Sequence, residues 1–221
     1  MNGYTGPAGR AGEDGRGMFI TLEGIDGCGK TTQAAHLAGW LGPRTGRPVL
    51  RTFEPGGWDG GASLRALILG GDVRDARTEL LLFLADRSGH VAGTLLPALG
   101  VGKLVLCERY SDSTRAYQVA GRGLPAAMVE ALLDGCGFPR PDLTVLLEIS
   151  PEAAAGRLAA RGGGDRIEGG GIAFMARVAE GYAELARSEP ERFLTVPAEG
   201  TEEEVAQRVR RGVSAWLEAP R

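Results

Sequence analysis

Along the chain, short apolar runs alternate with longer segments in which apolar positions recur every three or four residues. The first run, MFITLE from Met18, is rich in β-favouring residues and ends at a glycine. The next segment, KTTQAAHLAGWL, sets Ala34, Leu37, Ala38 and Leu41 on one helical face. After the turn GPRTGRP, VLRTF at 49–53 predicts a second strand, stopped by EPGG, where Pro55 and two glycines forbid continuation. SLRALIL predicts a short helix over 63–69, and a longer one over about 77–99 carries Leu80, Leu84, Val91 and Leu95 as its apolar stripe. KLVLCERY and PDLTVLLEI are continuous apolar runs, as expected of strands buried on both faces. Between them, SDSTRAYQVAGRGLP reads as a polar connection leading into the helix AAMVEALLDGC. PEAAAGRLAAR, with proline at its first turn, and IAFMARVAEGYAELARS predict two further helices, and RFLTVP a fifth strand. TEEEVAQRVRRGVSAWL closes the pattern, with Thr201 as N-cap and Glu204 completing a capping box. Short apolar strands alternating with helices predict an α/β fold, a five-stranded parallel sheet covered on both faces.

Composition narrows the functional classes. The net charge of -3 with 24% charged residues gives no basic surplus for gripping nucleic acid, so an anionic ligand needs a local site. No apolar stretch of about 18 residues occurs, so no membrane span is expected. Residues 1–17 are polar and glycine-rich, lack a signal-peptide core and read as a disordered tail, leaving one domain over 18–217. Cys28, Cys107 and Cys136 have neither metal-ligand nor disulfide-framework spacing, which fits a reducing cytoplasm.

The chemistry begins at GIDGCGKT, residues 24–31, which matches G-x-x-x-x-G-K-[ST] between a predicted strand and a predicted helix. Backbone N–H groups of Gly24, Ile25, Asp26, Gly27, Cys28 and Gly29, with the helix N-terminus at Lys30 to Thr32, form a cradle for a polyphosphate. Lys30 reaches the β- and γ-phosphates and the Thr31 hydroxyl holds Mg²⁺ in such a loop. A switch GTPase would need an Asn-Lys-x-Asp base-reading motif, and none is present. Gly24 and Ile25 stand where some ATPases carry a second lysine. A transferase needs an acceptor pocket, and in an open parallel sheet that pocket lies beyond the carboxyl ends of the strands.

Phe83, Arg87 and His90 fall on one face of the long helix, about a quarter turn from its apolar stripe. An aromatic ring beside a guanidinium suits a pyrimidine, which the ring stacks on and the guanidinium bonds. A core phenylalanine and a solvated arginine account for the same spacing equally well. Glu108 and Arg109 leave a buried strand at its carboxyl end, close to the phosphate loop, where an arginine can bridge phosphates, the plainer reading being a surface arginine.

In order and spacing, EGIDGCGKTTQ, EPGG, LLFLADRSGHV, ERYSDSTRAYQ, PDLTVLLEIS and DRIE resemble the thymidylate kinase family over residues 18–217. The resemblance implies a P-loop NTPase three-layer α/β/α sandwich with a short lid, and transfer of a phosphoryl group from ATP, with Mg²⁺, to dTMP on the way to dTTP. It also implies a homodimer. Carried over residue by residue, Phe83 stacks on thymine and Arg87 bonds it, while Ser113, Thr114 and Gln118 contact the base. Tyr117 crowds the sugar C2′ position. Glu54 and Arg65 lie near the acceptor's sugar and phosphate, Arg109 bridges acceptor and γ-phosphate, and Asp26 helps to place the acceptor near a metal held by Thr31 and Glu108. Two positions depart from the pattern. Phe53 replaces the arginine of TREPGG, removing a positive charge unless Arg51 or Arg65 compensates, and Glu108 replaces the aspartate of DRY. Family members take a catalytic arginine from the phosphate loop or from the lid. Here Ile25, Asp26, Gly27 and Cys28 are not basic, so the glycine-hinged lid at 161–171 is expected to supply it, through Arg161 first, with Arg157 and Arg166 as alternatives. Another nucleoside monophosphate or deoxynucleoside kinase on the same scaffold, or a nucleotide-gated ATPase, shares the loop and differs in its acceptor.

Overall fold

The computed structural model describes residues 16–70, 73–160, 162 and 171–219. The elements in chain order are β1 (Met18–Glu23), α1 (Lys30–Thr45), β2 (Val49–Phe53), α2 (Gly61–Leu69), α3 (Ala76–His90), α4 (Leu96–Gly100), β3 (Leu104–Glu108), α5 (Ser111–Thr114), α6 (Ala126–Cys136), β4 (Leu143–Glu148), α7 (Pro151–Ala160), α8 (Gly171–Ser188), β5 (Phe193–Pro197) and α9 (Glu202–Glu218). Two π-helical segments, Val91–Leu95 and Arg115–Gly121, join α3 to α4 and extend α5. The five strands form one sheet in the order β2-β3-β1-β4-β5, and every pairing is parallel. Parallel neighbours require crossover helices, and these cover both faces, giving the expected three-layer α/β sandwich.

β1 lies at the centre and every residue in it is buried, which is why its sequence shows no alternation. Its register sets Leu22 beside Glu108 on β3 and Glu23 beside Leu146 on β4, so the residues leaving β1 and β3 emerge together at one edge. Ala34, Leu37 and Leu41 of α1 are buried in the core against this sheet, as their spacing predicts. Thr201 and Glu204 form the predicted capping box of α9, and Asp75 caps α3 by accepting the Thr78 backbone N–H.

Two stretches differ from the pattern. α1 continues through Pro43 and ends at Gly46, so most of the expected turn is helical. More consequentially, SDSTRAYQVAG is helical rather than a polar connection, running as α5 and a π segment. Ser113, Thr114 and Gln118 face the cleft, Asp112 and Arg115 pair with Arg192 and Glu130, and Ala116 and Tyr117 pack into the core, Tyr117 against Phe174 and Tyr182 of α8, so the apolar face is too short to read as a helical stripe. The long helix over 77–99 is one continuous rod with a π turn at Val91–Leu95, and Leu80, Leu84, Val91 and Leu95 are all buried. Most of the lid segment, 161 and 163–170, and the tail up to residue 15 lie outside the described residues.

Candidate active site

The phosphate loop leaves the carboxyl end of β1. Gly24 has a φ of 138°, and a Cβ there would meet the Leu147 carbonyl oxygen at 2.5 Å, so only glycine lets the loop pass over β4. Ile25 and Cys28 turn their side chains into the core, which leaves backbone to line the loop. The Lys30 ammonium donates to the carbonyl oxygens of Gly24 and Ile25, each at 2.9 Å, and so sits in the mouth of the loop. Beside it, the Thr31 hydroxyl donates to Glu108 Oε2 at 2.6 Å. A threonine hydroxyl and a carboxylate are hard oxygen donors, and this pair fits Mg²⁺ that keeps most of its ligands as water and phosphate. The side chain of Glu108, at the position where the resemblance implies an aspartate, reaches the Thr31 hydroxyl.

Arg109 follows β3 with a φ of 64°, the one non-glycine residue at positive φ among those described. Such a conformation persists only where surrounding contacts over-determine it. The guanidinium is tied to the Asp26 carboxylate and also donates to Tyr117 Oη at 3.2 Å and Ser113 Oγ at 3.3 Å. Tyr117 Oη donates in turn to Asp26 Oδ2 at 2.8 Å. Burial pushes the Asp26 carboxyl up, but Arg109 and Lys30 outweigh it and hold the group below the usual carboxylate range. Asp26 therefore joins the loop to the end of β3 as an anion between two cations.

The wall facing the phosphate loop is built on Arg87 of α3, which is buried rather than solvated. Its Nε donates to Glu54 Oε2 at 2.7 Å, and Nη1 and Nη2 donate to Thr114 Oγ1 and the Tyr110 carbonyl, each at 2.9 Å. Glu54 Oε1 bonds His90 Nδ1 at 2.9 Å, and His90 Nε2 bonds Thr52 Oγ1 at 2.6 Å. Gln118 donates to Glu79 at 3.0 Å. Arg65 stands 5.3 Å over the Phe53 ring and donates to the Pro55 carbonyl at 2.6 Å. Of the two arginines able to replace the missing charge at 53, Arg65 faces the cleft, whereas Arg51 lies outside it, 3.8 Å from Glu108.

Glu54, Arg65, Phe83, Arg87, Arg109, Ser113, Thr114, Tyr117 and Gln118 line one cleft of about 390 Å³ together with Asp26, Lys30, Thr31, Thr32 and Glu108. The sequence-derived donor and acceptor groups thus meet in a single space. His90, placed with Phe83 and Arg87 by spacing, does not line it and instead holds Glu54 from behind. Arg161 and Arg166 lie outside the described residues, while Arg157 donates to the Ala198 carbonyl at 2.9 Å, beside the turn into α9. Sequence reasoning passed over the second layer. Asp86 accepts from Gly56 N and Trp58 Nε1, each at 2.9 Å, and shapes the EPGG turn. Glu23 and Tyr182 back Ser113. Glu23 opens the EGIDGCGKTTQ motif as a charge at the end of a mostly apolar strand, but nothing in the sequence pointed to its partners.

The chain and its fold are similar to those of known proteins. The family model described as thymidylate kinase matches residues 22–209. A thymidylate kinase from Gloeobacter violaceus is 46% identical over 206 residues, covering 90% of this chain and 96% of the relative, and one from Leifsonia xyli is 49% identical over 198 residues, covering 88% and 93%. The crystal structure of thymidylate kinase from Ehrlichia chaffeensis superposes with a TM-score of 0.75 at 31% identity, over 90% of this chain and 99% of that one. With a matching family model over most of its length and relatives this similar and this completely covered, the chain belongs to the thymidylate kinase family.

Proposed function

We propose that this protein transfers the γ-phosphate of ATP to dTMP, giving dTDP and ADP for dTTP synthesis. The observation that carries the reading is the shared cleft, in which the Arg109 guanidinium lies between the phosphate loop and the wall formed by Phe83, Arg87 and Tyr117. Phosphoryl transfer needs in-line positioning and charge stabilisation more than covalent help. The acceptor phosphate is already an anion, so no general base is required.

Each side chain then has a task. Phe83 stacks on the pyrimidine, and Arg87, Thr114 and Gln118 contact its edge, with Ser113 next to them. Tyr117, held against Asp26 at 2.8 Å, closes the space beside the sugar C2′ and favours deoxyribose. Glu54 keeps Arg87 aligned at 2.7 Å and fixes the sugar end, and Arg65 meets the acceptor phosphate. Arg109 bridges the two phosphoryl groups, and Asp26 orients Arg109. Gly24 to Thr32 wrap the donor phosphates, with Lys30 moving from its carbonyl partners to the γ-phosphate. Thr31 and Glu108 would hold Mg²⁺, which supplies charge neutralisation on the donor when bound. The lid over 161–171, through Arg161, completes the positive surround and excludes water.

A homodimer and a cytoplasmic location complete the proposal. Leu67 on α2 and Leu81 on α3 are exposed on two helices that touch, and offer apolar surface to a second copy. Cys28, Cys107 and Cys136 are free thiols, and no described helix is long and apolar enough to cross a membrane. ADP release with ATP and Mg²⁺ across dTMP, dUMP, dCMP, dGMP and thymidine tests the reaction and the acceptor together. Turnover is expected with dTMP above all others. A preference for another acceptor would reassign the substrate, and ADP release independent of any acceptor would leave an ATPase.

A further inference from the structure

We propose that Glu23 and Tyr182 form a positioning pair that holds Arg109 in its working conformation from behind the cleft, a role that rests on reading Arg109 as the phosphate-bridging arginine. Glu23 is the last residue of β1 and is fully buried. Neither it nor Tyr182 lines the cleft, so neither touches substrate. A buried carboxylate is tolerated where hydrogen-bond donors converge on it. Here the backbone N–H of Tyr110 donates to Oε1 at 2.7 Å, and the Ser113 and Tyr182 hydroxyls donate to Oε2 at 2.6 and 2.8 Å.

Those partners surround Arg109. Tyr110 is the residue after it, so the bond to Glu23 pins the peptide immediately beyond the left-handed φ of 64°. On the other side, the Arg109 backbone N–H donates to the Leu22 carbonyl at 3.0 Å, which ties the strained residue to β1 twice. The third tie is through Ser113. Its single proton goes to Glu23, leaving the oxygen as the acceptor for Arg109 Nη1 at 3.3 Å. The carboxylate thereby sets the direction of that hydroxyl. An amide at position 23 would present a donor to Ser113 or to Tyr110, and the chain of directed bonds would break at one of them.

Tyr182 brings α8 into the same arrangement. Its hydroxyl lies 2.8 Å from both Glu23 Oε2 and Ser113 Oγ. The preceding residue, Gly181, allows the approach, since a Cβ there would meet the Ala120 Cβ at 2.6 Å. The ring packs edge-on against Tyr117, which itself donates to Asp26 beside Arg109. The position of α8 is therefore read out at the guanidinium through one hydroxyl and one carboxylate.

Steady-state kinetics, dTMP affinity by calorimetry and thermal melts of Glu23→Gln, Tyr182→Phe, Arg109→Ala and the two double variants with Arg109→Ala test this. Glu23→Gln is expected to lower kcat about tenfold or more and Tyr182→Phe about threefold or more, with the KM for ATP within about twofold of the parent. Added to Arg109→Ala, either change is expected to lower kcat by less than about twofold further, because both act through that residue. An unchanged kcat in Glu23→Gln, with Arg109→Ala strongly impaired, overturns the inference alone. An equal loss with and without Arg109 overturns it too, and marks a purely structural role. Full turnover in Arg109→Ala overturns the reading of Arg109 and with it the pair. Where Glu23→Gln does not fold, Tyr182→Phe, which keeps the ring and removes one hydroxyl, decides the outcome on the same criteria.

Discussion

Lys30 donates to carbonyls of its own loop, Gly24 and Ile25, six and five residues away, whereas Arg87 donates to Glu54, Thr114 and Tyr110, which lie 33, 27 and 23 residues away. Both are buried cations in one cleft. The donor half is organised by local backbone, because a glycine-rich turn presents its carbonyl and N–H groups whatever lies around it. The acceptor half is organised by side chains that only the assembled sheet and helices bring together. Local organisation leaves the lysine free to exchange carbonyl partners for phosphate. Long-range organisation makes the arginine part of the core, so that the acceptor recognition proposed for it and stability would share the same bonds.

That difference is sharpest in the response to losing each cation. Arg87→Ala leaves Glu54 buried without its arginine, and is expected to lower unfolding free energy by about 3–5 kcal/mol and to abolish dTMP binding. Denaturant unfolding and calorimetry check it, and unchanged stability would erase the distinction between the halves. Lys30→Ala is expected to lower kcat about 10²- to 10³-fold, with dTMP affinity and the melting temperature close to those of the parent. A large drop in melting temperature would show that the donor half is also a structural element. Arg161→Ala is expected to lower kcat at least ~10²-fold, and Arg157→Ala much less, since Arg157 is bonded to the Ala198 carbonyl. The reverse order would move the lid's arginine to 157.

The smallest expected effect concerns pH and the joint between the halves. Burial, reinforced by Asp112, pushes the Glu23 carboxyl up to about 7, against the pull of Ser113, Tyr182 and Arg109. Its ordinary value of 4.5 holds in the unfolded chain, so between about 4.5 and 7 the folded protein binds the extra proton. Stability therefore falls as pH rises through that window, and Glu23→Gln is expected to flatten this part of the curve. Urea midpoints of the two proteins at several pH values measure it. Parallel curves would mean that Glu23 titrates alike in folded and unfolded chains.

The contrast between the halves also separates what was legible beforehand. GIDGCGKT was readable because its chemistry is contained in consecutive residues between a strand and a helix. Phe83 and Arg87 were readable as one helix face, but a solvated arginine fitted that spacing equally well until the fold buried it against Glu54. SDSTRAYQ was misread as a connection because site residues occupy the positions that would otherwise form an apolar stripe. The pairing of Glu23 with Tyr182, 159 residues apart, had no pattern to reveal it.

By itself the sequence determined the alternation of parallel strands and helices and the phosphate loop, because periodicity, glycine punctuation and motif spacing act over a few residues at a time, while the positions of the cleft's lining came through the family resemblance of its motifs. Only the tertiary structure decided that Arg87 is a buried ion pair, that His90 supports Glu54 from behind, and that the Glu23 carboxylate at the end of the central strand accepts the backbone N–H of Tyr110, next to Arg109. Those facts depend on which distant donors converge on a group removed from water, and that convergence exists only once the strands are laid side by side.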